Sequence, residues 1–227
     1  MQKKSLDVEI TNLSEFIHQA ALDPHLNLDR LNQICDASNF FGFKGFCTNL
    51  IRLPSARKRL SANNKTKLIA AIGFPFGDIP GELKQSQAEW SAEQGADEFD
   101  VVPNFLELHE GNISIFANEI FRVCELGLPT RVIIDASSLQ EEKLELAIEA
   151  CIDAGVEGIQ TGNGFGVKPS KETIKQIIKL VRGRCSIKAV GGIRSLSEML
   201  GLINLGCSAI GTSKGPELMK EFRALNQ

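Results

Sequence analysis

Five polar side chains stand in apolar runs where they could do chemistry together. Asp100 lies in Glu98-Phe-Asp-Val-Val-Pro-Asn104, Arg131 and Asp135 in Thr130-Arg-Val-Ile-Ile-Asp-Ala136, Gln160 in Val156-Glu-Gly-Ile-Gln160, and Lys188 in Ser186-Ile-Lys-Ala-Val190. A carboxylate in such a run is costly unless it is paired or functional. An amine there can be made reactive by partial burial and a neighbouring charge. Three glycine-bearing stretches follow the late runs: Gly162 to Gly166, Gly191-Gly192, and Gly211-Thr-Ser213. Glycines before a helix let backbone N–H groups converge on an anion, and the helix N-terminus adds partial positive charge. Gly164, Gly191, Gly192, Gly211 and Ser213 are therefore candidate phosphate contacts beside a chemical centre. The plainer alternative is that Arg131, Asp100 and Lys188 form a structural ion-pair layer.

For these groups to meet, each run must be a strand opening into a common mouth, since strand residues two apart share a face. The chain supplies such strands in alternation with helices. Phe16 to Leu22 reads as a first strand, and Asn27 caps a helix carrying Leu28, Leu31, Ile34 and Cys35 at helical spacing. Gly42 to Asn49 reads as a second strand, with Pro54 in the first turn of a short basic helix, Ser55 to Ser61. Lys67 to Gly73 is the third strand, and the helix Glu82 to Gln94 is stopped by Gly95. The Asp100 run precedes a helix from about Ile113 to Leu126, and the Arg131 run precedes Glu141 to Ala154. Ser170 to Val181 follows the Gln160 run, and Ser195 caps a helix after the Lys188 run. Ser208 to Ser213 is the eighth strand and Pro216 to Leu225 the last helix.

Eight strand-then-helix units predict an α/β fold, a (β/α)8 TIM barrel forming a single domain over residues 1–227, with about residues 1–15 as a helical cap. An open doubly wound sheet is the other arrangement. The Gly162-x-Gly164-x-Gly166 spacing is not Gly-x-Gly-x-x-Gly and comes at the sixth strand, so no nicotinamide is expected.

Composition narrows the partners. The net charge of −3 gives no reason to expect nucleic acid or an anionic membrane, and no apolar run has the length of a membrane span. The start of the chain does not read as a secretory signal. The six cysteines are scattered singly with no Cys-x-x-Cys and read as small buried hydrophobes with reduced thiols, which points to the cytoplasm. His18, His25 and His109 are far apart, so no metal site is expected, and His18 reads as a hydrogen-bonded structural residue. No cofactor is expected; the expected partner is a small phosphorylated sugar or aldehyde, and a homodimer is open.

The residues also resemble a known family. Phe46-Cys-Thr-Asn49, Gly73-Phe-Pro-Phe-Gly77, Gly95-Ala-Asp-Glu-Phe-Asp-Val-Val-Pro-Asn104, Arg131-Val-Ile-Ile-Asp135, Thr161-Gly-Asn-Gly-Phe165, Lys188-Ala-Val-Gly-Gly-Ile-Arg194 and Ile210-Gly-Thr-Ser213 together resemble deoxyribose-phosphate aldolase over nearly the whole chain. That family is a class I (β/α)8 aldolase cleaving 2-deoxyribose 5-phosphate to acetaldehyde and glyceraldehyde 3-phosphate. The resemblance implies that Asp100 is a proton-relay aspartate and that Lys188 is the lysine whose charge tunes the Schiff-base lysine. It implies phosphate contacts at Gly164, Gly191, Gly192 and Ser213, and substrate contacts at Cys47, Asn49, Arg131, Asp135 and Thr161.

The departures bear on the chemistry. The family's Schiff-base lysine stands just before the Thr-x-x-Gly-Phe stretch, where this chain has Gln160. The fifth-strand lysine is Arg131, the Asp-His-Thr of the first strand is Ile17-His18-Gln19, and the glutamate ending the fifth strand is Asp135. An amide nitrogen is delocalised and forms no imine; the covalent step needs a free amine. Three readings stay open. The chain could be an aldolase in which Lys188 takes over the Schiff base, a pseudoenzyme that binds a phosphorylated metabolite, or an enzyme using Asp100 and Lys188 for acid–base work on a phosphosugar. The balance leans toward the aldolase.

Overall fold

The computed structural model describes residues 10–60 and 65–225 of the chain. Eight parallel strands close into a barrel in sequence order: β1 (Ile17–Ala21), β2 (Gly45–Thr48), β3 (Lys67–Ile72), β4 (Glu98–Val101), β5 (Thr130–Ile133), β6 (Gly158–Gln160), β7 (Ser186–Val190) and β8 (Ala209–Thr212). Around them run α1 (Leu28–Phe41), α2 (Leu53–Leu60), α3 (Gly81–Glu93), α4 (Phe105–Glu110), α5 (Ile113–Cys124), α6 (Glu141–Asp153), α7 (Lys171–Val181), α8 (Leu196–Leu205) and α9 (Gly215–Leu225). β1 pairs with both β2 and β8, which closes the sheet and excludes the open doubly wound arrangement. The expected N-terminal cap is a short 3-10 turn over Leu13–Phe16; the rest of that expectation, residues 1–9, and Ser61 of the basic helix lie outside the described residues.

Local chemistry sets these elements. Asn27, Ser170 and Ser195 each use a side-chain oxygen to accept a hydrogen bond from a first-turn N–H, at the starts of α1, α7 and α8. The apolar pattern does not reveal α4, because its six residues hold only one buried side chain, Leu108. Its punctuation is nonetheless present. Asn104 Oδ1 accepts from Leu106 N at 3.0 Å, and Gly111 ends the helix in the left-handed region at φ 83°.

The apolar core fills the space between the barrel and its helices. Phe46, Leu68, Ala70, Phe99 and Val101 pack under α1 to α3, while Val132, Ile134, Ile148, Ile159 and Ile177 pack on the opposite side. Alternation then turns the remaining strand residues inward. Across β3 to β7, Ala71, Asp100, Arg131, Gly158 and Ser186 stand in one register line; Ile133, Gln160, Lys188 and Ala209 form the next such line from β5 to β8.

Three inward strand glycines make room for long polar side chains. A Cβ on Gly158 would sit 2.2 Å from Ser186 Oγ and 3.1 Å from Arg131 Cγ, and one on Gly211 would sit 3.1 Å from Lys188 Cε. One on Gly45 would sit 2.6 Å from Ile69 Cδ1 and 3.1 Å from the His18 ring. Glycine at these positions is therefore required by what the neighbouring strands carry.

Outside the barrel, a buried ion pair ties α3 to α5. Lys84 Nζ lies 3.2 Å from both carboxylate oxygens of Glu119, and Glu119 Oε1 also accepts from Asn104 N at the end of the β4 loop. Both side chains are almost wholly out of water, so losing one partner strands the other. Lys84→Ala should cost roughly 3 kcal/mol in urea unfolding, whereas the paired uncharged replacement Lys84→Met with Glu119→Gln, which keeps an acceptor for Asn104 N, should recover much of that loss. Equal costs for both variants would mean that the pair contributes no more than packing.

Candidate active site

The site is built around Asp100, which is fully buried in the barrel. Its Oδ1 accepts from Arg131 Nε at 2.9 Å, and its Oδ2 pairs with Lys188 Nζ. Arg131 reaches a second carboxylate through Nη2, 2.5 Å from Glu98 Oε2. The four groups form a line, Glu98–Arg131–Asp100–Lys188, in which two carboxylates offset two cations. Glu98 and Asp100 are two apart on β4 and so share a face. Cys47 Sγ completes the shell as a weak donor 3.5 Å from Asp100 Oδ2.

Charge states follow from this packing. Burial alone would raise the Asp100 carboxyl, but the Lys188 and Arg131 charges outweigh it and hold the group well below the usual carboxylate range. Burial would lower Arg131, yet Asp100 and Glu98 keep it above its ordinary value. Burial and the Asp100 charge push the Cys47 thiol up to about 12, so it is a thiol and not a nucleophilic thiolate. Burial, then the Lys188 and Arg131 charges, hold His18 well below the ordinary histidine range. His18 faces the same interior, and its Nδ1 is buried with no hydrogen-bond partner among the described residues, which corrects the expectation of a hydrogen-bonded structural histidine.

Gln160 and Lys188 are register partners on β6 and β7. Gln160 Nε2 donates to Gly162 O at 2.8 Å. That bond fixes the amide's orientation, because the flipped amide would set two acceptor oxygens against each other. Gln160 Oε1 is then left buried without a partner among the described residues.

Above these groups opens a cavity of about 680 Å³, to which His18, Cys47, Gln160 and Lys188 contribute at the base. Gly164, Gly191, Gly192, Gly211 and Ser213 line it. The glycine at 191 is needed, since its φ is 133° and a Cβ there would lie 3.0 Å from Pro169 Cδ. The loop after β6 is only in part an anion cradle: Asn163 Oδ1 takes the N–H groups of Phe165 and Gly166 at 2.9 and 3.0 Å. The same Asn163 donates through Nδ2 to Pro75 O, and Phe74 meets Phe165 edge to face at 5.6 Å.

Other expected contacts stand away from this cavity. Asp135 lies beyond the end of β5, and Asn49 Oδ1 accepts from Arg52 Nη1 at 3.0 Å; neither lines the cavity. Thr161 is a strand clamp, with Oγ1 donating to Val190 O at 3.2 Å and accepting from Val190 N at 3.0 Å. Arg131 acts from beneath, through Asp100. Sequence reasoning missed Glu98, whose signal was its two-residue spacing from Asp100, and the Asn163 bridge, which no local pattern marks.

Known proteins share this architecture and much of this sequence, although no family model matches the chain. The deoxyribose-phosphate aldolase of Thermococcus kodakarensis is 32% identical over 214 residues, covering 92% of this chain and 96% of that one. The deoxyribose-phosphate aldolase of Thermosynechococcus vestitus is 31% identical over 213 residues, covering 93% and 98%. Among solved structures, one described as QR15, an aldolase, superposes with a TM-score of 0.90 at 29% identity, covering 95% of this chain and 98% of that chain. The tetrameric deoxyribose phosphate aldolase of Aeropyrum pernix shares the fold, with a TM-score of 0.84 at 24% identity and coverage of 93% and 91%.

Two measurements test the site's electrostatics. Below about pH 6.5 the unfolded chain binds a proton on His18 that the folded chain refuses. The stability linked to His18 is thus complete above that pH and falls as pH drops through it, by up to about 2 kcal/mol between pH 7 and pH 5. His18→Gln should flatten urea stability over that interval; parallel slopes in both proteins would contradict the assignment. At pH 7, Asp100→Ala should cost about 3–5 kcal/mol by leaving Arg131 and Lys188 facing one another. A cost below about 1 kcal/mol in thermal or urea unfolding would show that the cations relax into water.

Proposed function

The chain belongs to the deoxyribose-phosphate aldolase family, and from that premise we propose that it cleaves 2-deoxyribose 5-phosphate or a close phosphosugar, with Lys188 as the imine-forming amine. One observation carries this reading. Of the three lysines lining the cavity, Lys188, Lys214 and Lys220, only Lys188 is buried at its base. Its Nζ pairs with Asp100, which gives the amine a proton acceptor in direct contact. In this scheme Asp100 relays one ammonium proton to the carbonyl oxygen as the freed lone pair attacks the aldehyde carbon. A second proton from the nitrogen lets that oxygen leave as water, and the protonated imine keeps the third. Arg131 and Glu98 hold Asp100 in place while its charge changes. Gly191, Gly192, Gly211 and Ser213 would take the phosphate at the rim, with backbone N–H groups as donors.

A second reading is favoured by the same ion pair. Lys188 and Arg131 are both matched to Asp100, so the unliganded site is electrostatically quiet, as a phosphosugar-binding protein without lyase activity would be. Among the described residues no helix is long and apolar enough to cross a membrane, and all six cysteines are free. The cytoplasm, a reducing compartment, is the proposed location.

Borohydride reduction in the presence of 2-deoxyribose 5-phosphate should fix substrate mass on the peptide containing Lys188, and Lys188→Met should abolish both adduct and turnover. Phosphosugar binding with no adduct and no turnover would favour the binder. In that case Gln160→Lys would restore an amine beside a fixed cation, which favours the neutral form of the new lysine. Activity gained there would identify a preserved pocket that lacks only its nucleophile.

A further inference from the structure

Five cationic side chains line the cavity: Arg30, Lys188, Arg194, Lys214 and Lys220. Three are accounted for. Lys188 is matched by buried Asp100, and Lys214 Nζ lies 3.5 Å from Glu217 Oε1. Arg194 belongs to the loop of Gly191 and Gly192, where the phosphate is proposed to sit. Arg30 and Lys220 remain. Both are exposed, so a ligand can reach them, and neither pairs with a carboxylate among the described residues. The Arg30 hydrogen bond runs instead from Nη1 to Gln33 Oε1 at 3.0 Å. Asp23, which also lines the cavity, offsets only one of these charges.

The fold sets both cations on one side of the mouth. α1 follows β1 and α9 follows β8, so both helices begin where the barrel strands end, and the two helices are neighbours. Arg30 lies in the first turn of α1 and Lys220 in the second turn of α9. Helical side chains lean toward the N-terminus of their helix, which directs Lys220 back toward the mouth. Half-buried Leu26, Ile34 and Pro216 add apolar wall on the same side. The cavity of about 680 Å³ is of the size that holds drug-sized ligands, larger than a five-carbon monophosphate.

We propose that Arg30 and Lys220 form a second anion subsite, and that the cavity takes a sugar diphosphate, a phosphosugar whose phosphate carries a further phosphate. This inference rests on the phosphosugar reading above and defines its ligand more closely. The inner phosphate occupies the glycine loops after β7 and β8, and the outer one extends toward α1 and α9. There it accepts charge-assisted hydrogen bonds from the Arg30 guanidinium and the Lys220 ammonium. A monophosphate, met by Arg194 and the glycine N–H groups, leaves both of those cations without an anion.

The test uses two ligands without a carbonyl, so it is independent of imine formation. Calorimetric titration of the full chain would compare 2-deoxyribitol 5-phosphate with 2-deoxyribitol 5-diphosphate. The wild-type protein should bind the diphosphate roughly tenfold more tightly. In Arg30→Gln with Lys220→Gln that preference should fall by about fivefold or more. A control removes the same charge elsewhere: Lys175→Gln with Lys179→Gln, on exposed positions of α7 outside the cavity, should keep the wild-type preference. Equal wild-type affinities for the two ligands overturn this inference alone. So does a preference that survives in the Arg30 and Lys220 variant, or one that falls as far in the control, which would reflect net charge and no subsite. Binding of neither ligand overturns the phosphosugar reading and this inference together.

Discussion

A single carboxylate shared between two cations governs the interior of this barrel. Asp100 has no access to water, and both of its oxygens are taken by charged groups, Arg131 on one and Lys188 on the other. Charges removed from water are tolerated only when they are paired and hydrogen-bonded. Glu98 supplies the remaining balance by pairing with Arg131. The barrel therefore encloses two positive and two negative groups joined in one line, spread over strands β4, β5 and β7. None of the four could be replaced singly without exposing an uncompensated charge in a medium of low dielectric.

That cluster dictates sequence at positions that carry no chemistry. Gly158 and Gly211 stand on the strands beside Arg131 and Lys188, where a methyl group would press on those side chains. Gly45 does the same for the His18 ring. It also gives meaning to an amide at position 160. A lysine there would add a third cation beside Lys188 to a cluster that is already neutral. Gln160 adds polarity without charge, and the ion-pair line stays balanced. The loss of the expected amine is thus compatible with the Asp100 cluster. What it removes is the repulsion that would keep a neighbouring lysine uncharged.

Much of this is legible in the amino-acid sequence alone. Apolar runs alternate with amphipathic segments, punctuated by Asn27, Gly95, Ser170 and Ser195. They mark all eight strands to within a few residues, because each strand is buried on both faces. Asp100 announces itself as a carboxylate in an apolar strand, and the structure supplies both of the cations expected for it. What stays hidden depends on side chains meeting across the mouth. Asn163 looks like one more polar loop residue, yet it joins the loop after β6 to Pro75 after β3. Spacing assigns Asp135 to the Arg131 face, but β5 ends at Ile133, and beyond a strand's end the two-residue period no longer fixes direction. Thr161 resembles a substrate contact and is a clamp between β6 and β7.

The Asn163 to Pro75 hydrogen bond and the contact of Phe74 with Phe165 join the loops after β3 and β6. Phe74, Asn163, Gly164 and Phe165 of these loops line the cavity together with the ends of β1, β7 and β8, and Lys188 contributes from β7. On the proposed reading, an anionic group at the β7 and β8 glycines would leave the rest of a short sugar to extend toward Lys188. The Lys188 amine would then meet that end of the ligand, beside the Gln160 amide that is its register partner. Binding energy from such a remote phosphate would be available to place the reacting carbon, so that orientation would be set by groups that take no part in the bond changes.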